Sequence, residues 1–475
     1  MRPYKITLII LGVIVLLLGV AAVFPPEGIS VPLRFASLSS MFEKDTSSMV
    51  PEETPEQLFE RRMRETKVEG EDEYLDFFQN NPARFYCPDG DVQYFDAFFE
   101  ALDSAQTKPV KVIHYGDSQI EEDRISNEVR ERLQERFGGI GVGWLPVIQK
   151  VPTMTFSQVC NASLKRYMPY GSSEFHRSNG RYGPLGQMAV LNQPTSLTFT
   201  ARQSKGRYTH AQSFTHVKVY YGKVVGGLTI NCAGQTQKLG ATDSDFEEAV
   251  FELADTTHKV SVSLSGQAEL YGVQFSGTDG VTLDNAPMRG CSGTIFTSMD
   301  SVQLSAYYDR EHVRLIILEY GGNMVPGLRS DAAIANYKTS IIRQINHLKK
   351  LAPQAAFVFI GPSDMSTRIN GSMQTYPKLP AIIAALKEAT SETGIAYWDL
   401  YEAMGGHNAM VNWVKSSPQL AGGDYVHFTH RGADKVADIL CNSLMLYYDY
   451  YNARQRRIAT IKTEIDSIQN TQQQP

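Results

Sequence analysis

A serine stands directly after a predicted strand, in the tripeptide Gly116-Asp117-Ser118. Residues 111–115 are typical of a short buried strand, and a helical pattern begins at Glu121. A hydroxyl at such a turn lies at the carboxyl edge of a sheet, where backbone N–H groups face any negative charge that develops. The position suits a nucleophile, although an isolated Gly-Asp-Ser is more often a tight turn with an N-capping serine.

Three stretches further along the chain favour the catalytic interpretation. Residues 289–296 contain Gly290 and Gly293, where backbone can approach a ligand without a side chain in the way. Asn323 follows two glycines after a predicted strand, and its amide can donate to an oxyanion. Residues 424–427 read Asp-x-x-His just before the last predicted helix. Imidazole and carboxylate groups are the types that accompany a nucleophilic serine.

Alternating strand and helix patterns place these stretches on one sheet. The predicted strands include 111–115, 314–320, 355–360 and 394–400, and the predicted helices include 92–105, 121–137, 330–351 and 378–393. This alternation predicts a parallel sheet covered by helices on both faces. Ligands of such sheets bind outside the carboxyl ends of the strands, which is where Ser118 is expected.

The residue pattern between these two α/β segments is different. Short alternating or β-branched runs at 196–201, 214–221, 227–232, 249–253, 259–264 and 269–275 are separated by turn residues. Such spacing predicts an inserted all-β sandwich. Most of its aromatic side chains are expected to fill the sandwich, while exposed ones could stack on sugar rings.

Charge and cysteine content exclude several classes of protein. The 475 residues carry a formal net charge of −6, and the basic residues are dispersed, so no nucleic-acid partner is expected. The five cysteines are far apart and odd in number, so at least one is free or pairs between chains. They form no pattern typical of a zinc or iron–sulfur site.

The amino terminus predicts a membrane anchor. Residues 6–24 are uncharged and almost wholly apolar, and their number suffices to cross the hydrocarbon core of a bilayer. Positive charge before them favours a cytoplasmic amino end, which places the bulk of the chain in the periplasm or outside the cell. An uncleaved anchor at 1–24 is favoured over a cleaved signal peptide. Residues 25–80 are interpreted as a linker.

The four motifs, in this order, resemble those of the GDSL or SGNH hydrolase superfamily, over about residues 90–150 and 285–450. The resemblance implies a three-layer α/β/α, flavodoxin-like core. It implies that Ser118 is the nucleophile, His427 its general base and Asp424 the residue that orients the imidazole. The implied oxyanion hole consists of the Ser118 and Gly293 backbone N–H groups and the Asn323 amide. No metal or organic cofactor is required.

Within the superfamily, the inserted β domain is similar in placement to that of peptidoglycan O-acetylesterases, whose insert resembles a carbohydrate-binding module. The expected division is core at 81–145 and 285–452, insert at 146–284 and a polar tail at 453–475. Met324 departs from the family pattern Gly-x-Asn-Asp, where an aspartate is usual. Gly293 is preferred to Gly290 because Ser-Gly-Thr better matches the second motif of the family, and His427 is preferred to His430 because of the Asp-x-x-His spacing. His114 is expected to be a packed polar residue.

These features predict an esterase that is anchored to the membrane and removes O-acetyl groups from peptidoglycan or another envelope polysaccharide. Two alternatives stay open at this point. An O-acyltransferase of the same fold would pass the acyl group to a sugar hydroxyl instead of water. A non-catalytic envelope protein could keep the fold and bind carbohydrate, although it would not need serine, histidine, aspartate and asparagine together.

Overall fold

The computed structural model describes residues 3–23, 53–204 and 206–472. Residues 68–457 form one unit, and residues 1–67 with 458–475 form another. The second unit contains α1 (Pro3–Val23) and α2 (Pro55–Glu65). Among the described residues no helix is both long and apolar enough to span a bilayer, and the membrane anchor stays a prediction. Residues 25–52 of the predicted linker, and residue 24 of the predicted anchor, lie outside the described residues.

Unit 68–457 contains all the strands that the structure describes and most of the remaining helices. The strands are β1 (Phe85–Tyr86), β2 (Val110–Gly116), β3 (Gly143–Leu145), β4 (Phe156–Cys160), β5 (Lys165–Tyr167), β6 (Met188–Leu191), β7 (Thr195–Ala201), β8 (Phe214–Cys232), β9 (Gln235–Leu239), β10 (Glu247–Thr257), β11 (Lys259–Ser276), β12 (Val281–Pro287), β13 (Val313–Glu319), β14 (Ala356–Ile360), β15 (Ser366–Ile369), β16 (Ser372–Thr375) and β17 (Ala396–Trp398). The helices are α3 (Glu71–Asn80), α4 (Asp96–Asp103), α5 (Ser126–Phe137), α6 (Ser301–Arg310), α7 (Asp331–Leu351), α8 (Leu379–Thr393), α9 (Leu400–Ala403), α10 (Ala409–Lys415) and α11 (His430–Gln472), of which α11 continues beyond residue 457.

The central sheet has the order β1-β17-β14-β13-β2-β12. All neighbours are parallel except the edge strand β1, which pairs antiparallel with β17. Counted along the chain, the parallel strands take the order 2-1-3-4-5, which is the flavodoxin-like arrangement. The order reverses between β2 and β13, so the binding crevice of this fold is expected at the carboxyl ends of these two strands.

Each face of the sheet is covered by its own apolar cluster, which gives three layers. Val110 and Val112 of β2 pack with residues of α4, α5 and α11. Ile113 and Tyr115, which point to the opposite face, pack with residues of α6, α7 and α8. Helix α6 was not predicted from the pattern, because its buried face includes the polar Gln303 while the apolar Val302 is exposed. Its start is capped by Asp300, whose side chain accepts the Gln303 N–H.

The structure corrects the carboxyl end of the predicted linker. Residues 71–80 form α3, and Phe78 is buried against Tyr447 of α11, with ring centroids 4.1 Å apart. The acidic composition of this stretch suggested a solvated spacer, but its aromatic residues are spaced for one face of a helix. Burial of that face binds α3 to the core, so the folded unit begins at Val68.

The insert is one nine-stranded sheet that folds back on itself. The runs predicted as separate strands at 214–221 and 227–232 are both part of β8, and those at 259–264 and 269–275 are both part of β11. Phe199 lies beside Val260 in the register, yet its ring centroid is 4.9 Å from that of Phe275. A straight strand would hold residues 260 and 275 about 50 Å apart. Register shifts near Gly266 and Gly272 allow β11 to bend and enclose the core of the insert.

Buried charges join the insert to the central sheet. Strand β12 pairs with β2 from Val281 onward, so the core resumes four residues before its predicted start at 285. Strand β3 pairs with β11, so the insert begins before the predicted boundary at 146. The Asp284 carboxylate on β12 accepts hydrogen bonds from the backbone N–H of Trp144 on β3, at 2.9 Å, and from Lys111. Glu311 accepts from Lys218 of the insert at 2.7 Å. Burial would raise the pKa of Glu311, but Lys111 and Lys218 outweigh it and lower the pKa to about 2.

Candidate active site

Ser118 lies in an irregular turn immediately beyond β2, at the carboxyl edge of the sheet. The side chain of Asp117 closes the turn, since its Oδ1 accepts the Gln119 N–H at 2.9 Å. Glu122 and Asp123 both adopt left-handed backbone angles, with φ of 65° and 62°. The predicted continuous helix from Glu121 is therefore wrong at its start, because these two residues interrupt it and α5 begins at Ser126.

Ser118, His427 and Asp424 form one hydrogen-bonded line. The Ser118 Oγ lies 2.8 Å from His427 Nε2, and His427 Nδ1 lies 2.7 Å from Asp424 Oδ2. The other Asp424 oxygen accepts the N–H groups of Val426 and His427, each at 3.1 Å. Partial burial raises the pKa of Asp424, but the hydrogen bonds from His427 and Val426 outweigh burial and the net pKa is lowered. The arrangement keeps a carboxylate against the imidazole.

Two side chains that the sequence analysis did not single out connect the serine turn to the histidine loop. Gln119 donates from Nε2 to the Val426 carbonyl at 2.7 Å. Arg124 donates to the Ser118 carbonyl at 2.6 Å and to the Phe428 carbonyl at 3.1 Å. A polar cluster after the serine was visible in the sequence, but the Val426 and Phe428 carbonyls that it contacts are about 300 residues away and no local pattern identifies them.

Gly293 and Gly290 differ in their surroundings. Both have positive φ, 79° and 77°. A Cβ atom at Gly293 would lie 2.9 Å from the ring of Tyr320, whereas nothing lies within 4 Å of the same position at Gly290. The Gly293 N–H contacts only the weak acceptor Cys291 Sγ, at 3.4 Å. The Ser118 N–H makes no hydrogen bond within the described residues, so both N–H groups are open to a better acceptor.

The Asn323 amide is already occupied. Its Nδ2 donates to Asp117 Oδ2 at 2.8 Å and to the Cys291 carbonyl at 3.0 Å. An amide nitrogen has two hydrogens, so an oxyanion can receive one only by displacing or sharing an existing acceptor. Burial raises the pKa of Asp117 to about 7, and nearby Glu319 adds to the increase, while the Gln119 N–H and the Asn323 amide oppose it.

Two other histidines near the site take no part in the hydrogen bonds that join Ser118, His427 and Asp424. His114 is 0% exposed and lies between Glu319 and Ser126, at 3.1 and 3.0 Å. His430 begins α11, and its Nε2 lies 3.9 Å from a Glu122 carboxylate oxygen.

Met324, which replaces the usual family aspartate, is partly buried against the apolar cluster that covers this face of the sheet. All five cysteines are free thiols.

A cavity of about 230 Å³ opens over the serine and the histidine. Ser118, His427 and Asn323 line it together with Tyr320, Pro362 and Met365. Polar groups that could bind a carbonyl group therefore face apolar side chains across a small volume. Such a cavity can hold a short acyl group next to the Ser118 hydroxyl.

The fold and the side-chain geometry define a serine hydrolase of the α/β class. Residues 256–435 match the GDSL-like Lipase/Acylhydrolase family. This match contains Gly293, Asn323, Asp424 and His427, whereas Ser118 lies before it and joins the site in three dimensions. The chain is thus a serine esterase with a GDSL-like lipase/acylhydrolase domain.

Solved structures provide the second comparison. The chain is similar to a peptidoglycan O-acetylesterase, with a TM-score of 0.62 and 17% identity over 75% of this chain and 96% of that chain. Weaker similarity links it to a family two carbohydrate esterase from Cellvibrio japonicus, with a TM-score of 0.26 and 11% identity over 62% of this chain and 99% of that one. No curated protein is significantly similar in sequence. The protein therefore resembles peptidoglycan O-acetylesterases in fold.

Proposed function

We propose that the protein removes O-acetyl groups from peptidoglycan or another envelope polysaccharide, outside the cytoplasm, through an acyl-enzyme on Ser118. The observation that carries the proposal is the continuous line from Ser118 Oγ through His427 to Asp424, with distances of 2.8 and 2.7 Å. A serine so placed can lose its proton to the imidazole as it attacks an ester carbonyl.

The steps follow from this line. His427 Nε2 takes the Ser118 proton, and the alkoxide forms a bond to the carbonyl carbon of the acetyl ester. When the tetrahedral intermediate collapses, the sugar oxygen leaves with the proton from His427. Water then attacks the acetyl-serine carbonyl and gives its proton to His427, and His427 returns that proton to the Ser118 oxygen as the acyl bond breaks and acetate leaves. Asp424 holds the imidazole in orientation and stabilises its charged form in both halves.

The oxyanion is held by the Ser118 N–H, the Gly293 N–H and the Asn323 amide. The two backbone groups are available, and Gly293 has only to release a weak contact with sulfur. Asn323 turns one hydrogen from the Cys291 carbonyl to the oxyanion and keeps its bond to Asp117. Removal of one such donor typically costs about 3 to 4 kcal/mol of barrier.

Three features support an acetylated envelope glycan as the substrate. The cavity over Ser118 is small, which favours a short acyl group. The fold is similar to that of a peptidoglycan O-acetylesterase. The apolar stretch at residues 6–24 supports a location at the membrane with the catalytic unit on the outer side.

The test is acetate release from O-acetylated peptidoglycan and from a small acetyl ester by the full-length chain, with Ser118→Ala as the matched variant. Release by the parent that is lost in the variant supports the esterase. A parent that neither releases acetate nor is labelled at Ser118 by a serine-reactive probe contradicts it. Acetylated sugar formed in place of free acetate, when an acceptor glycan is added, would identify a transferase instead.

A further inference from the structure

The insert is hydrogen-bonded directly to the turn that follows the nucleophile. The contact is made by the short segment of the insert that precedes β4. Its Met154 N–H donates to the Glu122 carbonyl at 3.0 Å, and its Thr155 hydroxyl donates to Asp123 Oδ2 at 2.8 Å. The inserted domain and the strand-to-helix turn of the core therefore share two hydrogen bonds.

These hydrogen bonds fall on two residues with strained backbone. Glu122 and Asp123 both lie in the left-handed region, at φ of 65° and 62°. Residues other than glycine rarely adopt this region, because their Cβ atom comes too close to the following carbonyl oxygen. Such a conformation persists only where the surrounding structure holds it. The turn therefore depends on contacts from other parts of the chain.

Two elements hold the Asp123 carboxylate. This side chain is 2% exposed, and Arg130 of α5 donates to both of its oxygens, at 2.7 and 2.9 Å. Thr155, which is 4% exposed, adds a hydrogen bond from the insert. A buried carboxylate loses stabilisation when one of its donors is removed. The core and the insert thus hold the same carboxylate together.

The segment that carries Thr155 is fixed to the sheet of the insert. The Thr155 carbonyl accepts the N–H of Arg202, the residue after β7, at 2.7 Å. Phe156, the first residue of β4, exchanges two hydrogen bonds with the Thr153 hydroxyl, at 2.9 and 3.0 Å. Strand β4 pairs with β7 along its whole length. The position of Thr155 is therefore set by paired strands of the insert.

Arg124 connects the strained residues to the catalytic groups. It follows Asp123 in the chain, and its guanidinium donates to the Ser118 carbonyl at 2.6 Å and to the Phe428 carbonyl at 3.1 Å. Because φ and ψ are the free dihedrals of the backbone, a change at one residue redirects the residue that follows it. Relaxation of residues 122–123 to ordinary backbone angles would therefore move Arg124 away from both carbonyls.

We propose that the insert positions the nucleophile turn through Thr155, in addition to any part that it takes in binding glycan. The Thr155 hydroxyl and the Met154 N–H hold the strained residues, and these direct Arg124 to the serine turn and the histidine loop. Thr155 is thus a positioning residue that acts on the rate of the chemical step. The inference rests on the proposed function, because the reaction that it assists is the turnover at Ser118.

The test is steady-state kinetics of the full-length chain on a small acetyl ester, which carries no sugar for the insert to bind. Thr155→Val keeps the shape of the side chain and removes its hydroxyl. We expect kcat to fall about 5- to 20-fold with KM changed less than about twofold, because a small misplacement of catalytic groups slows the reaction of the bound substrate. Thr155→Ser restores the donor and should keep kcat within about twofold of the parent.

Thr195→Val is the matched control. Thr195 is 3% exposed on β7, and its hydroxyl donates to the Gln193 carbonyl within the insert. This variant should lose about as much thermal stability as Thr155→Val and retain the kcat of the parent. An insert that only bound glycan would leave kcat on the small ester unchanged in Thr155→Val, and this result would overturn the proposal. A loss of kcat in Thr155→Ser or in Thr195→Val equal to that in Thr155→Val would also overturn it.

A double-mutant cycle tests the route through Arg124. If Thr155 acts by holding Arg124 in place, its hydroxyl has little left to contribute once the guanidinium is absent. The variant that combines Thr155→Val with Arg124→Ala should therefore have the kcat of Arg124→Ala, within about twofold. Reductions in kcat that multiply would show that Thr155 acts independently of Arg124, which contradicts the proposal.

Amide hydrogen exchange separates this inference from the esterase. The peptide that spans the nucleophile turn should exchange faster in Thr155→Val than in the parent, and at the parent's rate in Thr195→Val. This measurement does not require turnover. If the parent turns over no ester, the esterase is lost, while faster exchange in Thr155→Val still shows that the insert holds the turn. If the parent turns over the ester and Thr155→Val changes neither exchange nor kcat, the esterase is retained and the positioning role is lost.

Discussion

The Asn323 amide donates to the buried carboxyl of Asp117, with Nδ2 and Oδ2 2.8 Å apart. The aspartate of the Gly-Asp-Ser turn thus positions a predicted oxyanion donor, while its other oxygen closes the turn at Gln119. Met324, the residue after Asn323, packs against an apolar cluster, and Asp117 is the carboxyl that accepts from the Asn323 side chain. The nucleophile turn and the oxyanion loop are one hydrogen-bonded structure.

Ionisation of Asp117 should lower stability as the pH rises. The folded pKa of about 7 lies above the unfolded value near 3.9, so the folded state binds the proton more tightly. The contribution of this carboxyl to the free energy of unfolding is fully present below the unfolded pKa and is lost as the pH rises to about 7. Between pH 5 and 8 the loss is up to roughly 3 kcal/mol. Asp117→Asn cannot ionise, so its unfolding midpoint should fall less over this range than that of the parent.

Comparing the unfolding midpoints of the same protein at different pH values removes any destabilisation by Asp117→Asn that does not depend on pH. Asp279→Asn, at an exposed carboxyl, should keep the pH dependence of the parent. An unfolding midpoint that falls equally in the parent and in Asp117→Asn would show that Asp117 is already ionised at pH 5.

Gly293→Ala should lower kcat by about 10² to 10³, because the added methyl group meets the Tyr320 ring and moves the N–H. Gly290→Ala is the matched variant. It carries the same backbone strain, on the order of 1 kcal/mol, but meets no neighbour. It should lose a little thermal stability and retain kcat on a small acetyl ester. Equal loss of kcat in both variants would assign the effect to backbone strain.

Arg124→Ala should lower kcat by about 10- to 100-fold with little change in KM. The guanidinium joins the carbonyls of Ser118 and Phe428, and its loss frees the histidine loop to move relative to the nucleophile. Steady-state kinetics on a small acetyl ester measure the effect. Arg132→Ala removes a partly exposed ion pair with Asp438 and should act like the parent. Parent-like kinetics in Arg124→Ala would contradict this positioning role.

Asp424→Asn should lower kcat on the order of 10⁴-fold, since the amide can hold the imidazole in the wrong tautomer and does not stabilise its charged form. Circular dichroism should show an intact fold, because Asp424 is half exposed and packs no apolar core. Asp449→Asn, which removes an exposed carboxylate on α11, is the control. A loss of less than tenfold would mean that Asp424 does not orient His427 during turnover.

The alternation of strands and helices in the core was predictable because apolar residues recur at a different spacing in each kind of element. The predicted strands at 111–115, 314–320, 355–360 and 394–400 correspond to β2, β13, β14 and β17. Errors arose where packing overrides local composition. Residues 71–80 have an acidic pattern but bury an aromatic face, and the turn glycines within β8 and β11 bend these strands instead of ending them.

The types of the candidate site residues and their order along the chain were predictable. The sequence by itself determined that serine, glycine, asparagine, aspartate and histidine follow predicted elements of one sheet. Only the tertiary structure decided how they meet. Ser118 and His427 are 309 residues apart and come together where the strand order reverses between β2 and β13. The bond from Asn323 to Asp117, the Arg124 contacts and the bond from Thr155 to Asp123 join distant segments. The local spacing of apolar residues does not predict such contacts, because they form only when distant segments pack together.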